Sequence, residues 1–273
     1  MMMGVSKISF ILLLVAWSVQ VPFIVGDAEG LASLSGGQEP ETRVVGGKDA
    51  PEGLVPHQVA LKTKKEGWTF CGAAVISDRW ILTAAHCVKS LKPSEFTAVV
   101  GTLSRTKGGT SYEISKVIAH KEHDKPNKFN NDIAVISTKK AIEFNKKVQP
   151  LPLPKQDITA GLSCILSGWG QLNSGWSSPD KLQYLYVKTL TSDECSKKIN
   201  VVRNSPVISS SQMCTLNKRG EGTCQGDSGG SLVCNGTSAG VVSFNLPCAN
   251  NIPDVYANTY KYISWIEENT KSP

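Results

Sequence analysis

Ser231-Leu232-Val233-Cys234-Asn235-Gly236-Thr237-Ser238-Ala239-Gly240-Val241-Val242-Ser243-Phe244 reads as two short strands folded back on each other. Ser231 to Val233 and Ala239 to Phe244 are strand-like runs, and Cys234-Asn235-Gly236-Thr237 is the hairpin turn between them. The same texture recurs outward along the chain. Gln58 to Lys62, Ala73 to Ile76, Thr97 to Val100, Ile133 to Ser137 and Ser163 to Leu166 are further short runs, and Lys107-Gly108-Gly109-Thr110 is a further turn cluster. Fourteen Pro and 24 Gly are spread through the 273 residues, which suits many turns and many short strands. This is the pattern of an all-β protein, an antiparallel barrel or sandwich. Pro150-Leu151-Pro152-Leu153-Pro154 is the best internal linker, because proline removes ladder donors, and it divides residues 44–273 into halves of similar size. Near the end, Tyr262, Ile263 and Ile266 recur at helical spacing with Trp265 beside them, which predicts a short packing helix.

The beginning of the chain reads as an address. Lys7 precedes an apolar run from Ile8 to Trp17, and small residues follow at Ala16-Trp17-Ser18 and again near Gly26 to Ala28. A short cationic region, a short apolar region and small residues predict a signal peptide over 1–26, ending between 18 and 28. Gln20 and Pro22 break the apolar stretch, which argues against a membrane anchor. Residues 27–43 are rich in Gly, Ser and Glu and read as a flexible segment. The expected product is secreted and extracellular, with no membrane partner.

Eight cysteines stand at 71, 87, 164, 195, 214, 224, 234 and 248, and none is in the leader. An even number in an exported chain implies four disulfides, and the absence of any CxxC spacing argues against a metal. Spacing alone leaves about 105 pairings open. Net charge is +6; setting aside the two bases and four acids of residues 1–43 leaves 27 bases and 19 acids in the remainder. A moderately basic surface of that kind serves solubility. No basic run interleaved with aromatics suggests nucleic-acid binding.

The strongest chemical signal is Gly226-Asp227-Ser228-Gly229-Gly230. A serine hydroxyl is a poor nucleophile at neutral pH and needs both a base and a place for an oxyanion. Glycines around the serine permit a tight backbone that aims N–H groups at developing negative charge. Of the four histidines, His86 lies in the apolar, small-residue run Leu82-Thr83-Ala84-Ala85-His86-Cys87, a setting that would hold an imidazole rigidly. His120 and His123 flank lysines and acids, as solvated residues do, and His57 sits beside Pro56 near a strand start; these three are read as structural. The acid that orients the base should be a carboxylate in apolar company, and Asp132 in Asn130-Asn131-Asp132-Ile133-Ala134-Val135 fits.

Taken in order, Ala84-Ala85-His86-Cys87, Asn131-Asp132-Ile133-Ala134 and Gly226-Asp227-Ser228-Gly229-Gly230 resemble the trypsin/chymotrypsin serine peptidases. Val44-Val45-Gly46-Gly47 after Arg43 resembles their activation site, and Ser167-Gly168-Trp169-Gly170 is similar to another of their landmarks. The resemblance covers about residues 44–270. It implies two six-stranded antiparallel β-barrels, divided near 150, with the active site between them and a short helix at the C-terminus. It also implies the pairs Cys71–Cys87, Cys164–Cys234, Cys195–Cys214 and Cys224–Cys248. The implied reaction is peptide-bond hydrolysis by Ser228, with His86 as base, Asp132 as its orienting partner, and the N–H groups of Gly226 and Ser228 as the oxyanion hole.

The same resemblance implies a switch and a pocket. Cleavage after Arg43 would free the amino group of Val44 to pair with Asp227, so that residues 27–43 act as an activation propeptide. Gly222 stands where trypsins carry the aspartate that holds Arg or Lys, Asn245 stands at a pocket wall where glycine is usual, and Asp254 replaces another common glycine. That combination resembles some insect chymotrypsins and some elastases. It predicts a preference for large apolar or aromatic residues, with an elastase-like or a broader specificity as alternatives. A buried Asp254 is expected to be hydrogen-bonded or solvated rather than waiting for a cation. The backbone of Ser243 to Asn245 is expected to pair with substrate. Ser231 after the glycine pair and Phe244 before Asn245 depart from the usual proline and tryptophan.

The expected partners are protein or peptide substrates, a trypsin-like activating protease, and serpins or other protease inhibitors; the chain is expected to be a monomer, and its short propeptide leans towards a digestive setting. No cofactor or metal is expected, since the loop from Gly101 to Tyr112 has no acid to ligate calcium. Asn235-Gly236-Thr237 is a glycosylation sequon. A different class of function, a non-catalytic protease-like binding module, would typically go with the loss of a triad member, and all three are present.

Overall fold

The computed structural model describes residues 44–172 and 177–271, so the expected leader, propeptide and Arg43 lie outside the described residues. A two-residue strand, β1 (Lys48–Asp49), is followed by β2 (Gln58–Thr63), β3 (Thr69–Val75), β4 (Trp80–Thr83), β5 (Phe96–Val100), β6 (Thr110–Ala119) and β7 (Ala134–Thr138). Strands β2 to β7 close into an antiparallel barrel in the order β2-β3-β4-β7-β6-β5. Six more strands follow: β8 (Ser163–Gly168), β9 (Gln183–Thr189), β10 (Gln212–Leu216), β11 (Ser231–Cys234), β12 (Thr237–Phe244) and β13 (Asp254–Asn258). They run β9-β10-β13-β12-β11-β8, and pairing of β8 with β9 closes the second barrel, to which β1 adds at β9. Both barrels expected from the sequence are therefore present.

Period-two alternation explains how one barrel serves two neighbours. In β2, Val59 and Leu61 point into the first barrel's core with Val75, Ile81, Leu82, Phe96 and Ile136. Between them, Ala60 packs with Val99, Trp169 and Leu182 in a layer shared by the two barrels. Gln58, on the Ala60 side, accepts a 2.7 Å hydrogen bond from Ser167 of β8. The second barrel has its own core around Leu166, Val187, Leu232, Val242 and Tyr256.

The hairpin from β11 to β12 forms as read. Asn235 and Gly236 both adopt positive φ (50° and 72°), the combination a two-residue turn needs to follow the strand twist. The proline-rich linker carries no strand, as expected, yet it is pinned at both sides. Leu151 N–H donates to Val75 O of the first barrel at 2.8 Å, and Ser238 N–H of the second donates to Pro152 O at 2.9 Å.

Among the described residues, three short α-helices complete the fold: α1 (Ala85–Val88), α2 (Ser192–Ile199) and α3 (Ile263–Asn269). A capping box starts α2, with Thr191 accepting from Glu194 N–H and Glu194 reaching back to Thr191. The predicted C-terminal helix is α3, and its Ile266 is fully buried against the first barrel's core. All four expected disulfides are formed: Cys71–Cys87, Cys164–Cys234, Cys195–Cys214 and Cys224–Cys248. The first joins β3 to α1, where closing a loop of 16 residues stabilises by about 3 kcal/mol.

Candidate active site

Strand pairing brings the first two candidates together. β4 and β7 are antiparallel with Thr83 opposite Ala134, so the end of β4 lies beside the start of β7. His86 sits in α1 just after β4, and Asp132 just before β7. Their side chains meet, His86 Nδ1 lying 2.7 Å from Asp132 Oδ2, and the His86 backbone N–H donates to Oδ1 at 2.9 Å. The Asp132 side chain is fully buried while that of His86 is 29% exposed, so the imidazole is anchored at its back and open at its front.

Asp132 has further partners. Ser243 Oγ–H, from β12 of the second barrel, donates to Oδ2 at 2.6 Å. His123 Nε2 lies 3.3 Å from Oδ1. Burial would raise the Asp132 pKa, but the contacts from His123, His86 and Ser243 outweigh it and hold the carboxyl well below the usual carboxylate range. His123 corrects the sequence reading: its side chain is only 6% exposed and faces Asp132 rather than solvent. The other two histidines are structural as read. His57 is buried, which pushes its imidazole down to about 4, and His120 packs against Tyr262 and Trp265.

Ser228 reaches the same place from the second barrel. Its carbonyl accepts from Gly72 N–H of β3 at 2.8 Å. A Cβ on the next residue, Gly229 (φ +79°), would overlap Thr83 Oγ1 and lie 2.5 Å from Gly72 O. Only glycine lets the serine turn lie against the end of β4, one step from the helix that carries His86. Among the described residues the Ser228 hydroxyl makes no hydrogen bond.

The backbone beside Ser228 leaves two donors open. Asp227, Gly229 and Gly230 all spend their N–H groups within the protein, on Cys224 O, Val242 O and Asp227 O. The N–H groups of Gly226 and Ser228 donate to no described acceptor. Asp227 itself points inward, accepting from Gly170 N–H at 2.8 Å and Cys224 N–H at 2.9 Å. Gly168 and Gly170 form its cradle, because a Cβ on either would overlap the carboxylate. Burial pushes Asp227 up to about 6, and its two backbone donors pull the other way. Val44 is fully buried in the second barrel's core, and Val45 O accepts from Gly222 N–H at 3.0 Å.

The three pocket candidates also gather. Asp254, only 5% exposed, accepts from Thr223 N–H at 2.8 Å and from Thr223 Oγ–H at 2.7 Å. Asn245 Nδ2 donates to the same Thr223 oxygen at 3.0 Å. A Cβ on Gly222 would lie 2.6 Å from Asp254 Oδ2, so with aspartate at 254 only glycine fits there without a shift. Burial, with a smaller push from the Asp227 charge, raises Asp254 to about 7 against the pull of Thr223. The register of β12 against β13 slips between Val242 and Phe244, leaving Ser243 as the extra residue of a bulge.

A family model described as Trypsin matches residues 44–266. The chain belongs to the trypsin family. This trypsin-family serine endopeptidase is 37% identical to chymotrypsin-2 of the hornet Vespa crabro over 227 residues, 83% of the chain and 99% of that protein. It is 39% identical to trypsin I-P1 of Gallus gallus over 243 residues, 86% of the chain and 92% of that protein. Among solved structures, mouse neuropsin, a serine protease, matches with a TM-score of 0.73 at 29% identity, covering 82% of the chain and 98% of that structure. Relatives named trypsin and chymotrypsin match about equally well, so family membership leaves the specificity to the pocket of this trypsin-family protease. Reading the sequence missed three contributors: the Ser243 hydroxyl, the Thr223 side chain and His123. Thr223 could have been found beside Gly222, whereas the contacts of Ser243 and His123 with Asp132 arise only on folding.

Proposed function

We propose that the chain is an exported zymogen that, once cut after Arg43, hydrolyses peptide bonds on the C-terminal side of large apolar or aromatic residues. Ser228 Oγ attacks the scissile carbonyl carbon while His86 takes the hydroxyl proton. His86 then returns that proton to the leaving amine, and water, activated by the same imidazole, releases the acyl group from Ser228. Asp132 fixes the proton of His86 on Nδ1 and stabilises the imidazolium that forms. Gly226 and Ser228 N–H hydrogen-bond the oxyanion, a contribution of about 2.7–4 kcal/mol per donor in comparable enzymes. The observation that carries the mechanism is the buried Asp132 on His86 Nδ1 at 2.7 Å, together with the two unspent backbone donors of Gly226 and Ser228.

The specificity rests on Asp254. Thr223 supplies both of its close donors, and burial favours its neutral form. The pocket therefore offers a guanidinium no free carboxylate, which supports an apolar preference. Asn245, tied to Thr223, narrows the wall and supports the elastase-like alternative.

A fluorophosphonate should label the activated protein at Ser228 and leave Ser228→Ala unlabelled. An activated protein that took no label would instead favour a binding role. A panel of otherwise identical Phe, Leu, Ala and Arg substrates ranks the pocket. Phe or Leu first supports the proposal, Ala first the elastase-like reading, and Arg first a broadened one.

A further inference from the structure

We infer that His123 is a positioning residue for the catalytic pair, a second imidazole that holds Asp132 from the side His86 does not use. The inference rests on the triad reading above and extends it to a residue outside the triad. An ionised carboxylate offers about four acceptor sites. On Asp132, Oδ2 is occupied by His86 Nδ1 (2.7 Å) and Ser243 Oγ (2.6 Å), and Oδ1 by His86 N–H (2.9 Å). His123 Nε2, 3.3 Å from Oδ1, stands at the remaining site. This nitrogen is buried and makes no well-aligned hydrogen bond to any described residue, Asp132 included, and Asp132 Oδ1 at 3.3 Å is the carboxylate oxygen it faces.

The other face of the His123 ring explains why the proton points inward. Lys89 Nζ, which can only donate, lies 3.0 Å from His123 Nδ1. Lys89 is itself held by Asp124 at 2.9 Å, and Asp124 Oδ2 lies 3.3 Å from the same Nδ1. With Nδ1 accepting from the ammonium, the ring proton sits on Nε2 and is aimed at Asp132. The result is a line of groups, Asp124, Lys89, His123, Asp132 and His86, running from surface to active site. His120 on the same loop feels the charge of His123 together with those of Glu122 and Lys121.

Removing the His123 donor would leave Asp132 freer to turn and more negative towards His86. His123→Phe should therefore lower kcat about fivefold to tenfold with KM unchanged, the scale of one hydrogen bond to a charged group. It should also move the acidic limb of the kcat/KM profile to higher pH, by about half a unit. His123→Gln places an amide nitrogen where Nε2 was and should keep both quantities near wild type. A purely structural role would alter thermal stability while leaving the limb in place.

Activated wild type and both variants should be titrated with fluorophosphonate before their pH profiles are compared. If the wild type takes no label, the active-site reading itself falls and this inference with it. If it takes label but His123→Phe keeps wild-type kcat and an unmoved limb, the inference alone is overturned. Equal impairment of Phe and Gln variants would also overturn it. Should His123→Phe fail to fold, two-bond proton–nitrogen correlations on histidine-labelled wild type decide the matter: a proton on Nε2 of His123 supports the line of donors, and one on Nδ1 overturns it.

Discussion

At the scale of single residues, buried carboxylates divide by what surrounds them. Asp132, with several donors, stays ionised; Asp254, with only Thr223 to help, is raised to about 7. The ordinary value is 3.8, so between there and about 7 the folded state holds a proton that the unfolded chain has lost. Its contribution to stability is full below that window and is lost as pH rises through it. Asp254→Asn should therefore flatten the fall in Tm across the window, sparing on the order of 3 kcal/mol at neutral pH. Parallel melts of both proteins at several pH values check this, and identical slopes would count against a buried Asp254. Thr223→Val keeps the shape but removes one donor from Asp254 and the acceptor used by Asn245. Cleavage after Arg relative to Phe should then rise about tenfold, the worth of one hydrogen bond to a charge. The ratio of kcat/KM values reads it directly. His86 and Asp132, which meet in the fold, stood out in the sequence because each sits in a distinctive local context, and Ser228 stood out in the same way. His123 did not, because its flanking Lys121, Glu122 and Lys125 read as a solvated loop, while Lys89 and Asp132, which stand beside it in the fold, lie outside that run of sequence.

Elements were legible where both faces of a strand are apolar. Ala134–Thr138 and Thr237–Phe244 are buried almost throughout, and the runs read there fall on them. β6 was missed because it alternates Tyr112 and Ile114 inward with Ser111, Glu113 and Ser115 outward, and a bulge between Ile114 and Lys116 breaks the alternation. β13 was missed because a proline precedes it and it opens on a charged residue, Asp254, whose carboxylate turns inward to Thr223. The turn after β8 shows how an element holds the site from a distance. Gly168 and Gly170 leave room for Asp227, and a methyl group on either displaces it. Gly170→Ala should leave a folded protein whose oxyanion donors are misplaced, lowering kcat at least 100-fold with fluorophosphonate labelling slowed in parallel. Normal labelling kinetics in that variant would show that the Asp227 cradle does not set the hole.

Across the whole molecule, the activation proposal joins the chain's far end to this cradle. Asp227 accepts only two described donors, leaving room for a third. An ammonium at Val44 would supply it and return a carboxyl raised to about 6 to its ionised form. Arg43→Gln should stay inactive after trypsin treatment, while the wild type gains activity; full activity of the treated variant would remove the switch. Two barrels with a proline-rich connection could be anticipated from the sequence, but not the stitching between them. Ser243 of one barrel touches Asp132 of the other, and Gly72 of one holds Ser228 of the other. The active centre thus behaves as a gauge of how the two halves are aligned. A hinge opening of an ångström or two would part these bonds together and silence the enzyme while each barrel was still intact. Calorimetry and residual turnover, recorded on the same heated samples, should consequently show inactivation at or before the melting transition and never after it.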